Sequence, residues 1–170
     1  THRPGTAVEL PEERAALIRD RMLGILFSQS FDIVDRGIGT KEDLNFGCQI
    51  ALGFRKGPLD IMRDLGEREV DRIMDRFHKD RPGFPMPRES FSFYHDFHRH
   101  ILVDDLEGGI KAITIRRPQA MNALNDEVTA EILSVLKNNV DNPEVTGFIL
   151  TGYGNAAFSA GADIGKFPEM

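Results

Sequence analysis

Two hydrophobic rhythms divide the chain. From Pro11 to His78 apolar residues return at helical spacing, the pattern that lays one stripe along a helix. Ile18, Met22, Ile25, Phe27 and Val34 predict a long first helix, ended by Gly37, a residue suited to the left-handed position that follows a helix. Thr40, with Asp43 three positions on, predicts the cap of a second helix, with Leu44, Cys48, Ala51 and Leu52 as its inward stripe and Gly53 as its stop. Gly57-Pro58 opens a short third helix with Leu59, Met62 and Leu65 inward, because proline is tolerated in the first turn where its missing N–H matters least. Gly66 then separates a fourth helix, on which Val70, Ile73, Met74 and Phe77 share a face.

After His100 the period becomes that of strands. Residues 101–106 and 110–115 flank Glu107-Gly108-Gly109, which reads as a hairpin, and residues 145–151 form a third strand rich in β-branched and aromatic side chains. Between them Asn125 caps one helix whose buried stripe is Val128, Ile132, Val135 and Leu136. Pro82, Gly83, Pro85 and Pro87 prevent regular helix between the halves. The expected organisation is α+β in two parts: an all-α region over 1–79, a linker over 80–99, and a truncated α/β segment of ββαβ order over 100–170. Ile113, Phe148 and Leu150 are expected to be exposed, since further layers of such a fold are missing.

Composition narrows the function classes. The 170 residues are 41% hydrophobic, enough for a core, with no apolar run near the roughly 18 residues of a membrane helix. Neither membrane insertion nor secretion is signalled, so a soluble, cytoplasmic protein is the default expectation. The net charge of −6, with signs interspersed, argues against nucleic-acid binding, which needs clustered Lys and Arg. The lone Cys48 forms no internal disulfide and reads as a buried thiol. His95, His98 and His100 alternate with Phe91, Phe93, Tyr94 and Phe97, but without clustered Cys or carboxylates they read as an aromatic segment docked on a domain, so no metal is expected. The absence of an initiator Met and the stop at Met170 suggest a fragment.

Gly152-Tyr153-Gly154-Asn155-Ala156-Ala157 follows a strand and matches a dinucleotide fingerprint, but Phe158-Ser159-Ala160-Gly161 intervenes where a helix should begin. More specific are Asn122-Ala123-Leu124-Asn125 and Phe158-Ser159-Ala160-Gly161-Ala162-Asp163-Ile164. Together they resemble the crotonase superfamily. The resemblance implies an acyl-CoA thioester as substrate, with the Ala162 N–H donating to its oxygen. It also implies that Ala120, Met121, Ala123, Ala160, Asp163 and Ile164 line the CoA pocket. Small residues let the backbone approach a ligand closely, and unpaired N–H groups stabilise developing negative charge. Gln119 stands where family members commonly carry Lys, and the hydratase glutamates are expected beyond Met170, so neither Glu144 nor Glu169 takes their place. A piece without those groups is expected to be inactive in hydration.

The stretch 52–66, Leu-Gly-Phe-Arg-Lys-Gly-Pro-Leu-Asp-Ile-Met-Arg-Asp-Leu-Gly, resembles the C-terminal domain of 3-hydroxyacyl-CoA dehydrogenases. This implies an NAD-dependent parent protein whose dinucleotide domain lies upstream, and association into a homo-oligomer through the helices. Asp20 stands at the family's active-site Asn position, replacing an amide that donates with a carboxylate that, when ionised, only accepts. Both resemblances together imply a bifunctional fatty-acid β-oxidation enzyme. The alternatives are a non-catalytic helical dimerisation module, or an enoyl-CoA isomerase of the same superfamily.

Overall fold

A computed structural model describes residues 10–163, which fall into two compact units divided between Phe97 and His98. The described part of the first unit is helical: α1 (Glu12–Asp35), α2 (Lys41–Leu52), α3 (Pro58–Leu65), α4 (Glu67–Asp80) and α5 (Phe91–His95). Local chemistry sets the boundaries. The Thr40 side chain accepts the Asp43 N–H at the start of α2, Gly53 closes it at φ 68°, and Pro58 begins α3.

Phe27, Phe31, Leu59, Met62, Val70, Ile73, Met74 and Tyr94 form the core of this unit. Each large apolar side chain fully buried in this way stabilises the fold by about 1.5–3 kcal/mol.

Of the apolar positions that predicted α1, Phe27 lies in the core and Val34 packs against it, while the other three are corrected. Ile18, Met22 and Ile25 are exposed, and Asp20, Gly24, Phe27 and Phe31 face inward. Both stripes obey helical spacing, and the inward one holds the charged and the small residue because partners on α4 accept them. In α2, likewise, Ala51 and Leu52 are exposed, Cys48 is half-buried, and Asn45 is buried. Asn45 acts as a cap for a different helix: its Oδ1 accepts the N–H groups of Leu59 (3.1 Å) and Asp60 (3.3 Å), and its Nδ2 donates to Asp60 (2.8 Å). A β-carbon on Gly57 would overlap the Asn45 side chain and its main-chain oxygen, so this position accepts only glycine.

The Pro-rich stretch packs against these helices. Tyr94, fully buried, donates to Asp35 at 2.7 Å and accepts the Arg88 and Glu89 N–H groups at 3.1 Å each. Burial, then the Asp35 carboxylate, pushes its hydroxyl pKa up to about 12. Ser28 donates to the Pro85 carbonyl at 2.7 Å, and His95 sets its two ring nitrogens against the Phe91 and Leu59 carbonyls.

In the second unit β1 (Ile101–Leu106) and β2 (Ile110–Ile115) form an antiparallel hairpin, and β3 (Gly147–Gly152) pairs parallel with β2, giving the order β1-β2-β3 among the described residues. Helix α6 (Asp126–Asn139) connects β2 to β3, and the Asn125 side chain accepts the Val128 N–H at its start. Ile101, Ile113, Ile115, Val128 and Val135 form the core, with Ile132 and Leu136 against it. Ile113 is therefore buried, contrary to expectation, because α6 covers it. Phe148 and Leu150 are exposed together with Ile149. No helix among the described residues is long and apolar enough to cross a membrane.

Candidate functional site

Between β2 and α6 the chain makes a single 3₁₀ turn (Pro118–Ala120), and Met121 and Asn122 then adopt positive φ of 46° and 56°. Asn tolerates this region through local hydrogen bonding, whereas for Met it is strained. Asn122 supplies the compensation. Buried to 2% exposure, it accepts the Arg117 N–H at 3.1 Å and donates to the carbonyls of Tyr153 (3.1 Å) and Ala157 (2.9 Å). One amide thus ties the segment before α6 to the loop after β3.

The two small-residue motifs meet directly. Leu124 and Ala162 form an isolated parallel bridge, in which the Leu124 N–H donates to Gly161 (2.8 Å) and the Asp163 N–H donates to Leu124 (2.8 Å). The Ala160 N–H is spent on the Met121 carbonyl (2.9 Å), and that of Gly161 on the Ser159 hydroxyl (3.1 Å). The Ala162 N–H makes no hydrogen bond among the described residues, and Ala162 is exposed. Peptide planarity sets its direction. The Gly161 carbonyl and the Ala162 N–H belong to one trans unit, so fixing the carbonyl on Leu124 turns the N–H away from the bridge. Gly161 itself has φ 92°, which favours glycine.

Arg117 crosses the same junction. Its guanidinium donates to the Ala123 carbonyl at 2.6 Å and to the Asp163 carboxylate at 2.9 Å. With side-chain exposures of 12% and 22%, the Arg117–Asp163 pair is largely shielded from water. Among the residues expected to line a CoA pocket, Ala123 is buried, Ala120 and Asp163 are half-buried, and Met121 and Ala160 are exposed; Ile164 lies outside the described residues. Glu144 is exposed at a turn before β3, Glu169 lies outside the described residues, and Gln119 is exposed.

Asp20 belongs to the first unit and has a different environment. Its buried carboxylate accepts from Arg72 at 2.9 and 3.1 Å, from Arg76 at 3.2 Å and from Arg19 at 3.5 Å. Arg72 lowers its pKa despite burial, so the group is held ionised and turned to α4. Burial pushes the Cys48 thiol up, away from nucleophilic character.

No three His, Cys, Asp or Glu side chains gather as a metal site among the described residues. His100 faces Glu127 at 3.2 Å. The loop after β3 runs as bends through residues 153–156 without opening a helix, so it does not fit a dinucleotide pyrophosphate.

Sequence reading reached Ala162 through its motif, but passed over Arg117 and gave Asn122 and Asn45 no role. Arg117 meets Asp163 across 46 residues, and no local spacing signals such a pair.

Known proteins share sequence with the second unit. Residues 105–169 match the family described as enoyl-CoA hydratase/isomerase. The short-chain-enoyl-CoA hydratase of Clostridium acetobutylicum is 44% identical over 64 residues, covering 38% of this chain and 24% of the relative. Human mitochondrial 3-hydroxyisobutyryl-CoA hydrolase is 33% identical over 106 residues, covering 62% of this chain and 27% of that protein. A solved enoyl-CoA hydratase from Bacillus anthracis aligns with 28% identity and a TM-score of 0.40, covering 42% of this chain and 29% of that one. The chain thus spans about a quarter of the length of these curated relatives. The matched residues 105–169 all lie in the second unit, which is similar to part of an enoyl-CoA hydratase/isomerase of the crotonase superfamily.

Proposed function

We propose that the chain belongs to a fused fatty-acid β-oxidation protein, in which the second unit begins an enoyl-CoA hydratase site and the helical unit derives from a 3-hydroxyacyl-CoA dehydrogenase. The observation that carries the hydratase reading is the Ala162 N–H: exposed, unpaired among the described residues, and aimed by a bonded peptide. Addition of water to an enoyl thioester drives negative charge onto the thioester oxygen. A fixed N–H donor at that oxygen lowers the barrier by about 2.7–4 kcal/mol. Ala120, Met121 and Ala160 line the CoA path in this reading, whereas Ala123 is buried with both backbone groups bonded and Asp163 is held by Arg117.

Support for the dehydrogenase half is narrower. The Gly57-Pro58 junction over Asn45 gives a packing reason for the glycine and proline of the 52–66 stretch. NAD belongs to the parent protein in this reading. Asp20 serves to join α1 to α4 through its arginines. The exposed stripe of Ile18, Met22 and Ile25 on α1 supports association of the helical unit into an oligomer.

Calorimetry of the full-length protein with a short-chain enoyl-CoA tests the central reading, and absence of binding would overturn it. Product analysis then separates the functions: a 3-hydroxyacyl-CoA product supports hydration, and a shifted double bond supports the isomerase alternative. Failure to reduce NAD with 3-hydroxyacyl-CoA would remove the dehydrogenase half alone.

A further inference from the structure

We infer that Arg117 is a positioning residue that polarises the Ala162 N–H through two peptide groups. This rests on the reading of Ala162 as the oxyanion donor. The guanidinium donates to the Ala123 carbonyl at 2.6 Å. That carbonyl shares its peptide unit with the Leu124 N–H, which donates to the Gly161 carbonyl at 2.8 Å. The Gly161 carbonyl in turn shares its peptide unit with the Ala162 N–H. A cation therefore heads a chain of two aligned amides whose last donor is the exposed Ala162 N–H.

Hydrogen bonds in such a chain strengthen one another by about 10–30% each, and the effect grows where water is excluded. The second arm of the guanidinium holds Asp163 at 2.9 Å, on the residue following Ala162. The planar fork thus brackets the Leu124–Ala162 bridge on both sides, which a single ammonium donor does not reproduce. Asp163 accordingly acts toward Arg117 through its side chain, and its N–H holds Leu124.

The test compares Arg117→Met, Arg117→Lys and Ala162→Pro in the full-length protein. Three quantities are read: kcat and KM for an enoyl-CoA, the stretching frequency of a ¹³C-labelled thioester carbonyl bound at the site, and the thermal midpoint. Arg117→Met is expected to lower kcat about 10- to 100-fold with little change in KM. It should also return the carbonyl frequency toward its value in water, with Arg117→Lys recovering part of both. If Arg117→Met fails to fold, Arg117→Gln keeps a donor to Ala123 without the charge and carries the same expectation. A carbonyl frequency and kcat equal to the parent's in a folded Arg117 variant, even with a lowered midpoint, would overturn the relay. Ala162→Pro separates the two readings, since it removes the N–H without breaking a bond among the described residues. If it abolishes the carbonyl shift while Arg117→Met does not, the relay alone is wrong; if it leaves the shift intact, the oxyanion reading falls and the relay with it.

Discussion

In the helical unit Phe27, Leu59, Met62 and Ile73 are fully enclosed between helices, whereas in the second unit β3 stands largely open among the described residues, with Phe148, Ile149 and Leu150 between 37% and 46% exposed. The register explains the contrast. Leu150 pairs with Ile113 and lies on the sheet face that α6 covers, yet α6 reaches Ile113 and leaves Leu150 uncovered. Ile149 pairs with Ala112 on the opposite face. A helical unit closes its core with elements near in sequence. A sheet that opens at β3 depends on whatever pairs with that strand and covers it.

Substitutions at matched apolar positions probe this contrast most strongly. Phe27→Ala should cost about 3–5 kcal/mol in denaturant unfolding of the helical unit. Leu150→Ala should change stability by less than about 1 kcal/mol, because Leu150 has little packing to lose. Equal losses at both positions would show that β3 is covered in solution.

Gly57→Ala sharpens the account of how the helical unit closes. Its β-carbon would overlap Asn45, so a loss of about 2–3 kcal/mol is expected as a lowered urea midpoint with an unchanged slope. A neutral result would mean that the α2–α3 junction relaxes freely.

A smaller, pH-dependent effect is expected at Asp20. Arg72 holds its folded-state pKa below the unfolded value. The contribution is therefore complete above about pH 4 and is lost as pH falls through the lower folded value. Because Arg72 and Arg76 are nearly half exposed, Asp20→Asn should cost only about 1–2 kcal/mol at neutral pH. Thermal midpoints of parent and variant should converge in acid. A difference that persists there would assign the effect to packing instead of charge.

The smallest stability change is expected for Ile149→Lys, within about 0.5 kcal/mol. Denaturant unfolding measures it, and a larger loss would show that the sheet face bearing Ile149 is covered in solution.

Local chemistry was legible in the sequence. The Thr40 and Asn125 caps, the Gly53 stop, Pro58 in a first turn and the three-residue hairpin at 107–109 all depend on residues within a few positions of one another. The motif around Ala162 was legible for the same reason, since small residues and a left-handed glycine are local requirements. Tertiary structure alone decided which stripe of α1 turns inward, because Asp20 and Gly24 become acceptable there only against Arg72 and Phe77 of α4. It also decided that Asn45 would cap a neighbouring helix and that Ile113 would lie under α6. The aim of the Ala162 N–H belongs to this second group. It depends on Leu124 meeting Gly161, a contact whose energy becomes available only after the loop between them has closed.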